Sequence, residues 1–198
     1  MTIRTHPREH PVPVILSRAW QRRDITALEN FSLQSAHGLL FLTGQITAAV
    51  ASVPYFVNYS VVCGEDWITR EAHVHVTRGG VPAFIRLVRS DAGLWEIDGV
   101  GRPDLEGATD LDIEWTPATN ALPVNRLRLA VGDSRNVDAA WVRVPDLTVE
   151  LLQQTYRRTL EDVYRYESGH GSFAAELQVD GAGFVDRYGD IWTCVGKT

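Results

Sequence analysis

The chain has 198 residues, 44% of them hydrophobic and 22% charged, with a net charge of −6. That is one ordinary domain's worth of chain with enough apolar content for a core, which excludes general disorder. The acidic balance argues against nucleic acid or an anionic membrane surface as the main partner, and no apolar run approaches the roughly 18 residues of a membrane-spanning helix.

Residues 1–13 contain three prolines and no apolar core of the kind a secretory signal needs, so they read as a flexible tail ahead of one domain, 14–198, with the cytoplasm as the default compartment. Period-two alternation then dominates. Val14–Trp20, Leu28–Gln34 and Gly38–Gln45 fit strands loosely. Tyr55, Val57, Tyr59, Val61 and Cys63 form an unbroken apolar face, with Phe56, Asn58 and Ser60 on the other side, which predicts a half-buried strand. Trp67–Thr77 and Ala83–Arg89 follow as strands, and Ser90-Asp91-Ala92-Gly93 signals a hairpin into Leu94–Ile97. Further candidates are Asp110–Trp115, Leu122–Val131, Asp138–Val144 and the face Phe173, Ala175, Leu177 and Val179, closed by a turn at 180–183 and a short strand from Phe184. Leu151–Tyr166 fits either one helix or two strands, and its β-rich surroundings favour strands. The expectation is a mainly β protein of about a dozen antiparallel strands, a curved sheet or barrel with little helix.

Arg70 shares a period-two face with Ile68, Ala72, Val74 and Val76. An arginine facing a core cannot shed its proton, so it needs a carboxylate, carbonyls or an anionic ligand. Asp110, Asp112 and Glu114 alternate with Leu111, Ile113 and Trp115. Their face is either solvated or turned to a cavity, where the acids must be paired or partly protonated; Arg70, Arg126 and Arg128 are the natural counter-ions. His73 and His75 offer two imidazoles on one strand, too few for a zinc site, so an exposed polar face is expected. Gly169-His170-Gly171-Ser172 lacks the nucleophile-turn pattern and reads as a hairpin loop. Cys63 and Cys194 have no metal or redox spacing and read as buried thiols. No phosphate loop or dinucleotide fingerprint is present, and no cofactor or metal is expected.

The segment Asp110-Leu-Asp-Ile-Glu-Trp-Thr-Pro-Ala-Thr-Asn-Ala-Leu-Pro-Val-Asn-Arg-Leu127 resembles the hallmark of the bacterial "putative glycolipid-binding" family. Asp66-Trp67-Ile-Thr-Arg70, Asp91-Ala-Gly-Leu-Trp95, Ala140-Trp-Val-Arg-Val-Pro145 and Tyr164-Arg-Tyr-Glu-Ser168 fall in the same order, so the resemblance spans about residues 14–195. Asn125 departs from it, standing where the family often has a second basic residue. The resemblance implies a β fold similar to lipoprotein carriers and lipid-binding barrels, with no established reaction. Carried over residue by residue, it marks Arg70, Asp110, Asp112, Thr116, Thr119, Asn120 and Arg126 as candidate ligand-binding residues; Tyr59 and Trp67 join them as rings on the proposed inner face. The same Thr116–Pro123 stretch could equally be an ordered connection between strands.

The leading expectation is noncatalytic binding of an amphiphile, a glycolipid or fatty-acyl compound, with its tail on the apolar inner face and its head oriented by Arg70 and Arg126 against Asp110 and Asp112. One alternative is a hydrolase or isomerase using Asp110 and Asp112 as acid and base. The other is a scaffold without a small ligand.

Overall fold

A computed structural model describes residues 14–198; the expected tail, residues 1–13, lies outside the described residues. Alternating side chains turn most of the chain into strands. β1 (Val14–Arg22), β2 (Thr26–Ala36), β3 (Leu39–Val50), β4 (Val53–Gly64), β5 (Thr69–Arg78), β6 (Val81–Arg89), β7 (Trp95–Ile97) and β8 (Val100–Gly101) form one antiparallel meander. β9 (Asp110–Ile113), β10 (Ser134–Val142), β11 (Val149–Arg158), β12 (Val163–Ser168), β13 (Phe173–Val179), β14 (Val185–Tyr188) and β15 (Trp192–Lys197) form a second. Pairing of β1 with β15 fuses the two into a single fifteen-stranded sheet whose edges are β8 and β9. Those edges do not pair with each other, so the sheet is open rather than a closed barrel.

Every pairing is antiparallel except β9 with β10. Parallel neighbours need a long crossover, usually helical, and the chain between Ile113 and Ser134 supplies one. It contains a 3₁₀ turn at Ala118–Asn120 and the helix α1, Ala121–Leu127. This corrects the strand expected over Leu122–Val131. The alternation of Leu122 and Val124 with polar residues imitates a strand, but Ala121, Leu122, Pro123 and Val124 are all buried. Pro123 is tolerated because it falls in the first turn, where its missing N–H is not needed. The helix ends at Arg128, left-handed at φ 44°.

Leu151–Tyr166 resolves into β11 and β12, with Tyr156, Tyr164 and Tyr166 all buried. The main core lies on the inner side of the first meander, where Trp20, Leu42, Ile46, Trp95, Phe184 and Trp192 are essentially sealed from water. Leu105, Leu111, Ile113 and Leu122 close over it from the crossover and the stretch before it. A smaller core packs Val124 and Leu129 against Tyr164, Leu177 and Val185 of the second meander. The segments around α1 therefore pack against both cores.

A candidate ligand cleft beside a buried carboxyl

Glu29 occupies an inward position of β2, in line with Ala27, Phe31 and Leu33, and is fully buried. Across β3, Gly44 faces Tyr59 in register, and its missing side chain is what lets the Tyr59 ring lie flat there: a Cβ at Gly44 would sit 2.2 Å from the ring. Tyr59 then donates its hydroxyl to Glu29 Oε1 at 2.5 Å. Thr116 donates to the same oxygen at 2.7 Å and accepts from the Ala118 amide at 2.9 Å, turning the chain into the 3₁₀ segment. Glu29 Oε2 is buried with no hydrogen-bond partner among the described residues. Among the described residues no cation offsets the loss of water, so burial pushes the Glu29 carboxyl from 4.5 up to about 8, against the two hydroxyl donors. This cluster ties the Thr116–Asn120 connection to the first meander.

Beyond Thr116 the second meander, with β1, encloses a partly open cleft of about 410 Å³. Trp141, Tyr166, Phe173, Tyr188 and Trp192 supply its aromatic walls, and Asp112, Glu114, Asn120 and Arg22 its polar ones. Tyr166, Phe173 and Tyr188 meet edge to face, with ring centroids 5.9–6.2 Å apart, the arrangement that the ring quadrupoles favour. Gly169 and Ser172 of the β12–β13 turn also reach the cleft, and positive φ at Gly169, His170 and Gly171 gives that turn its shape.

Asp112 is the titratable group placed best to meet a ligand. Gln154, itself buried, donates to Asp112 Oδ2 at 2.5 Å, and Thr119 donates weakly to Oδ1 at 3.4 Å. Burial outweighs these donors and, helped by the neighbouring Glu114 and Asp110 charges, holds its carboxyl at about 6. Glu114 is fixed by accepting the Val144 amide at 2.8 Å. Asn120 accepts from the Tyr156 hydroxyl at 2.8 Å and donates to the Pro117 carbonyl at 3.1 Å, so its amide is held rigidly at the cleft wall.

The structure separates the residues expected to act together. Asp112, Thr116 and Asn120 line the cleft; Thr119 stands behind Asp112 and receives the Ile113 amide at 3.3 Å. Asp110 is buried and clasped by the Arg126 guanidinium through both oxygens, a fork that opposes the rise burial imposes on its carboxyl. Neither residue lines the cleft. Tyr59 reaches it only through Thr116, and Trp67 sits in the turn before β5 with its ring against Phe184.

Arg70 does not face the core. β5 carries a bulge opposite Val62 and Cys63, which pair with Glu71 and Thr69. Arg70 is the extra residue, so Thr69 takes the inward position and the Arg70 side chain, half exposed, lies 3.6 Å from exposed Asp91. A bulge shifts alternation by one residue, which simple period-two counting cannot foresee. His73 is likewise outward, hydrogen-bonded to Glu71 at 2.9 Å. Glu29 carries the very signal applied to Arg70, a charge within an apolar alternating face. The cleft tyrosines and Arg22 carry no comparable local signal.

An open, curved β-sheet with a polar–aromatic cleft at one part of its concave side defines the class of this protein. A family model described as "Putative glycolipid-binding" matches residues 17–194, and the chain belongs to that family. The crystal structure of a DUF1089 family protein from Pseudomonas aeruginosa is similar to it, with 30% identity and a TM-score of 0.77 over 87% of this chain and 94% of that one. No curated protein matches the chain. Among the described residues, no helix is long and apolar enough to cross a membrane.

Proposed function

We propose that the cleft binds the sugar head group of a glycolipid and leaves it chemically unchanged. The observation that carries this reading is the wall composition: aromatic rings share the cleft with two carboxyl groups and a rigidly held amide. A pyranose presents C–H faces that pack on rings and hydroxyls that seek such polar groups, whereas an acyl chain uses only the rings. The apolar inner face expected to take a tail is instead occupied by the protein's own side chains, including Trp20, Trp95 and Phe184. A tail therefore leaves past Phe173, which is 37% exposed. Binding without catalysis is also supported by the position of Asp110, which is paired with Arg126 and does not line the cleft that Asp112 lines.

Calorimetric titration with octyl β-D-glucoside, galactoside and mannoside below their micellar concentrations tests this, with palmitate as the comparison. At least one glycoside binds, and Trp141→Ala weakens it about tenfold, the effect of losing roughly 1.4 kcal/mol of ring contact. Palmitate binding without any glycoside binding refutes the head-group reading. Release of free sugar, followed by mass spectrometry, refutes the noncatalytic one.

A further inference from the structure

Arg22, the last residue of β1, is the one cleft cation among the described residues and stood in no motif. Its guanidinium lies between two indoles, 5.9 Å from the Trp115 centroid and 5.6 Å from that of Trp192. Asp24 in the following turn takes Nε at 2.7 Å and Nη2 at 2.9 Å. Nη1 is buried and has no hydrogen-bond partner among the described residues.

Two other arginines of this protein are completed differently. Arg18 donates both Nε and Nη2 to Asp180 Oδ2, and its Nη1 donates to the Ser17 and Thr198 carbonyls at 2.8 and 3.0 Å. Arg158 Nη1 donates to the Leu129 carbonyl at 2.8 Å. A buried donor without an acceptor is costly, since the guanidinium cannot lose its charge. At Arg22 that donor belongs to a residue lining a ligand-sized cleft.

We infer that Arg22 Nη1 is the donor to an oxygen of the bound head group, and that this head group is an uncharged polyol. The inference rests on the cleft being a sugar site, as proposed above. The uncharged character follows from the remaining charges. Asp24 already balances Arg22, which leaves Asp112 and Glu114 as the unbalanced groups in the cleft. A carboxylate, sulfate or phosphate brought beside them is repelled, and Arg22 has no spare charge to offset it. A neutral sugar meets both demands: one of its oxygens accepts from Arg22 Nη1, and one of its O–H groups donates to Asp112.

The experiment compares octyl β-D-glucoside, galactoside and mannoside with octyl β-D-glucuronide, titrated into the wild-type protein and into Arg22→Met. Methionine keeps an unbranched stem between the two indoles and removes every donor; Asp24, 47% exposed in its side chain, is left in water. The expected result is wild-type binding of a neutral glycoside at least tenfold tighter than of the uronate, and a loss of at least tenfold in Arg22→Met. Circular dichroism melts establish that the variant is folded. If it is not, Arg22→Lys, whose single ammonium cannot serve Asp24 and the cleft together, is expected to show the same loss. Unchanged glycoside affinity in the folded variant overturns the role of Arg22 while head-group binding stands, as the Trp141→Ala result shows separately. Tighter binding of the uronate overturns the uncharged head group. Absence of binding by all four glycosides removes the sugar site and this inference with it.

Discussion

Replacing Glu29 by glutamine isolates a fully buried carboxyl with no countercharge among the described residues. Its pKa stands at about 8 in the folded protein against an ordinary 4.5, so between these values the native state holds a proton that the unfolded chain has lost. The stability that Glu29 contributes is therefore greatest below pH 4.5, falls as pH rises through this window, and is gone above about 8. The slope inside the window is about 1.4 kcal/mol per pH unit, and from pH 6 to pH 9 the group withdraws about 2.5 kcal/mol. For a chain of this length that is about 5–10 °C in Tm. Glutamine keeps an acceptor oxygen for Tyr59 and Thr116 but does not titrate, so whatever its amide costs is constant with pH. Urea denaturation of both proteins at pH 6, 7, 8 and 9 gives the difference directly, because Asp112 and the other titrating groups are common to both and cancel. Glu29→Gln should gain about 2.5 kcal/mol on the wild type across this range. Parallel curves would refute the argument, meaning that Glu29 is ionised in the native state throughout.

Two further outcomes follow from the packing around the same face. Gly44→Ala places a methyl 2.2 Å from the Tyr59 ring, which cannot swing away without breaking its bonds to Glu29 and Thr116; a loss of about 3 kcal/mol is expected in urea denaturation, and a loss below 1 kcal/mol would show the ring to be freely displaced. Cys63 is buried and free, with its thiol pushed up to about 12 mainly by desolvation, so its labelling by a disulfide reagent should proceed only at the rate of global unfolding. Rapid native-state labelling of Cys63, resolved from Cys194 by peptide mapping, would contradict that burial.

Much of the architecture was legible because alternation reports burial directly. The Tyr55–Cys63 face is buried at each position, and the Ser90–Gly93 turn closes as expected, with the Ser90 amide donating to the Leu94 carbonyl at 2.9 Å. Alternation fails where the backbone departs from regular pairing. The β5 bulge turned Arg70 outward, and the crossover made a helix of Leu122–Leu127, where two apolar residues two apart fit either period. The Asp110–Leu127 motif was correctly read as belonging to the family, but its parts divide in space. Asp110 and Arg126 pair in the wall, Thr116 docks on Glu29, and Asp112, Glu114, Thr116 and Asn120 reach the cleft.

By itself, then, the sequence determined the β class, most strand positions, the family and the presence of charged residues within apolar faces, since each is a local pattern of side-chain polarity along an extended backbone. The tertiary structure decided which of those residues meet. Arg22 from β1, Asp112 from β9 and Tyr166 from β12 share a cleft only because β1 pairs with β15 and the sheet curves around the α1 crossover. Pairing between strands so distant in the chain depends on burial summed over the whole sheet, and no local spacing encodes it.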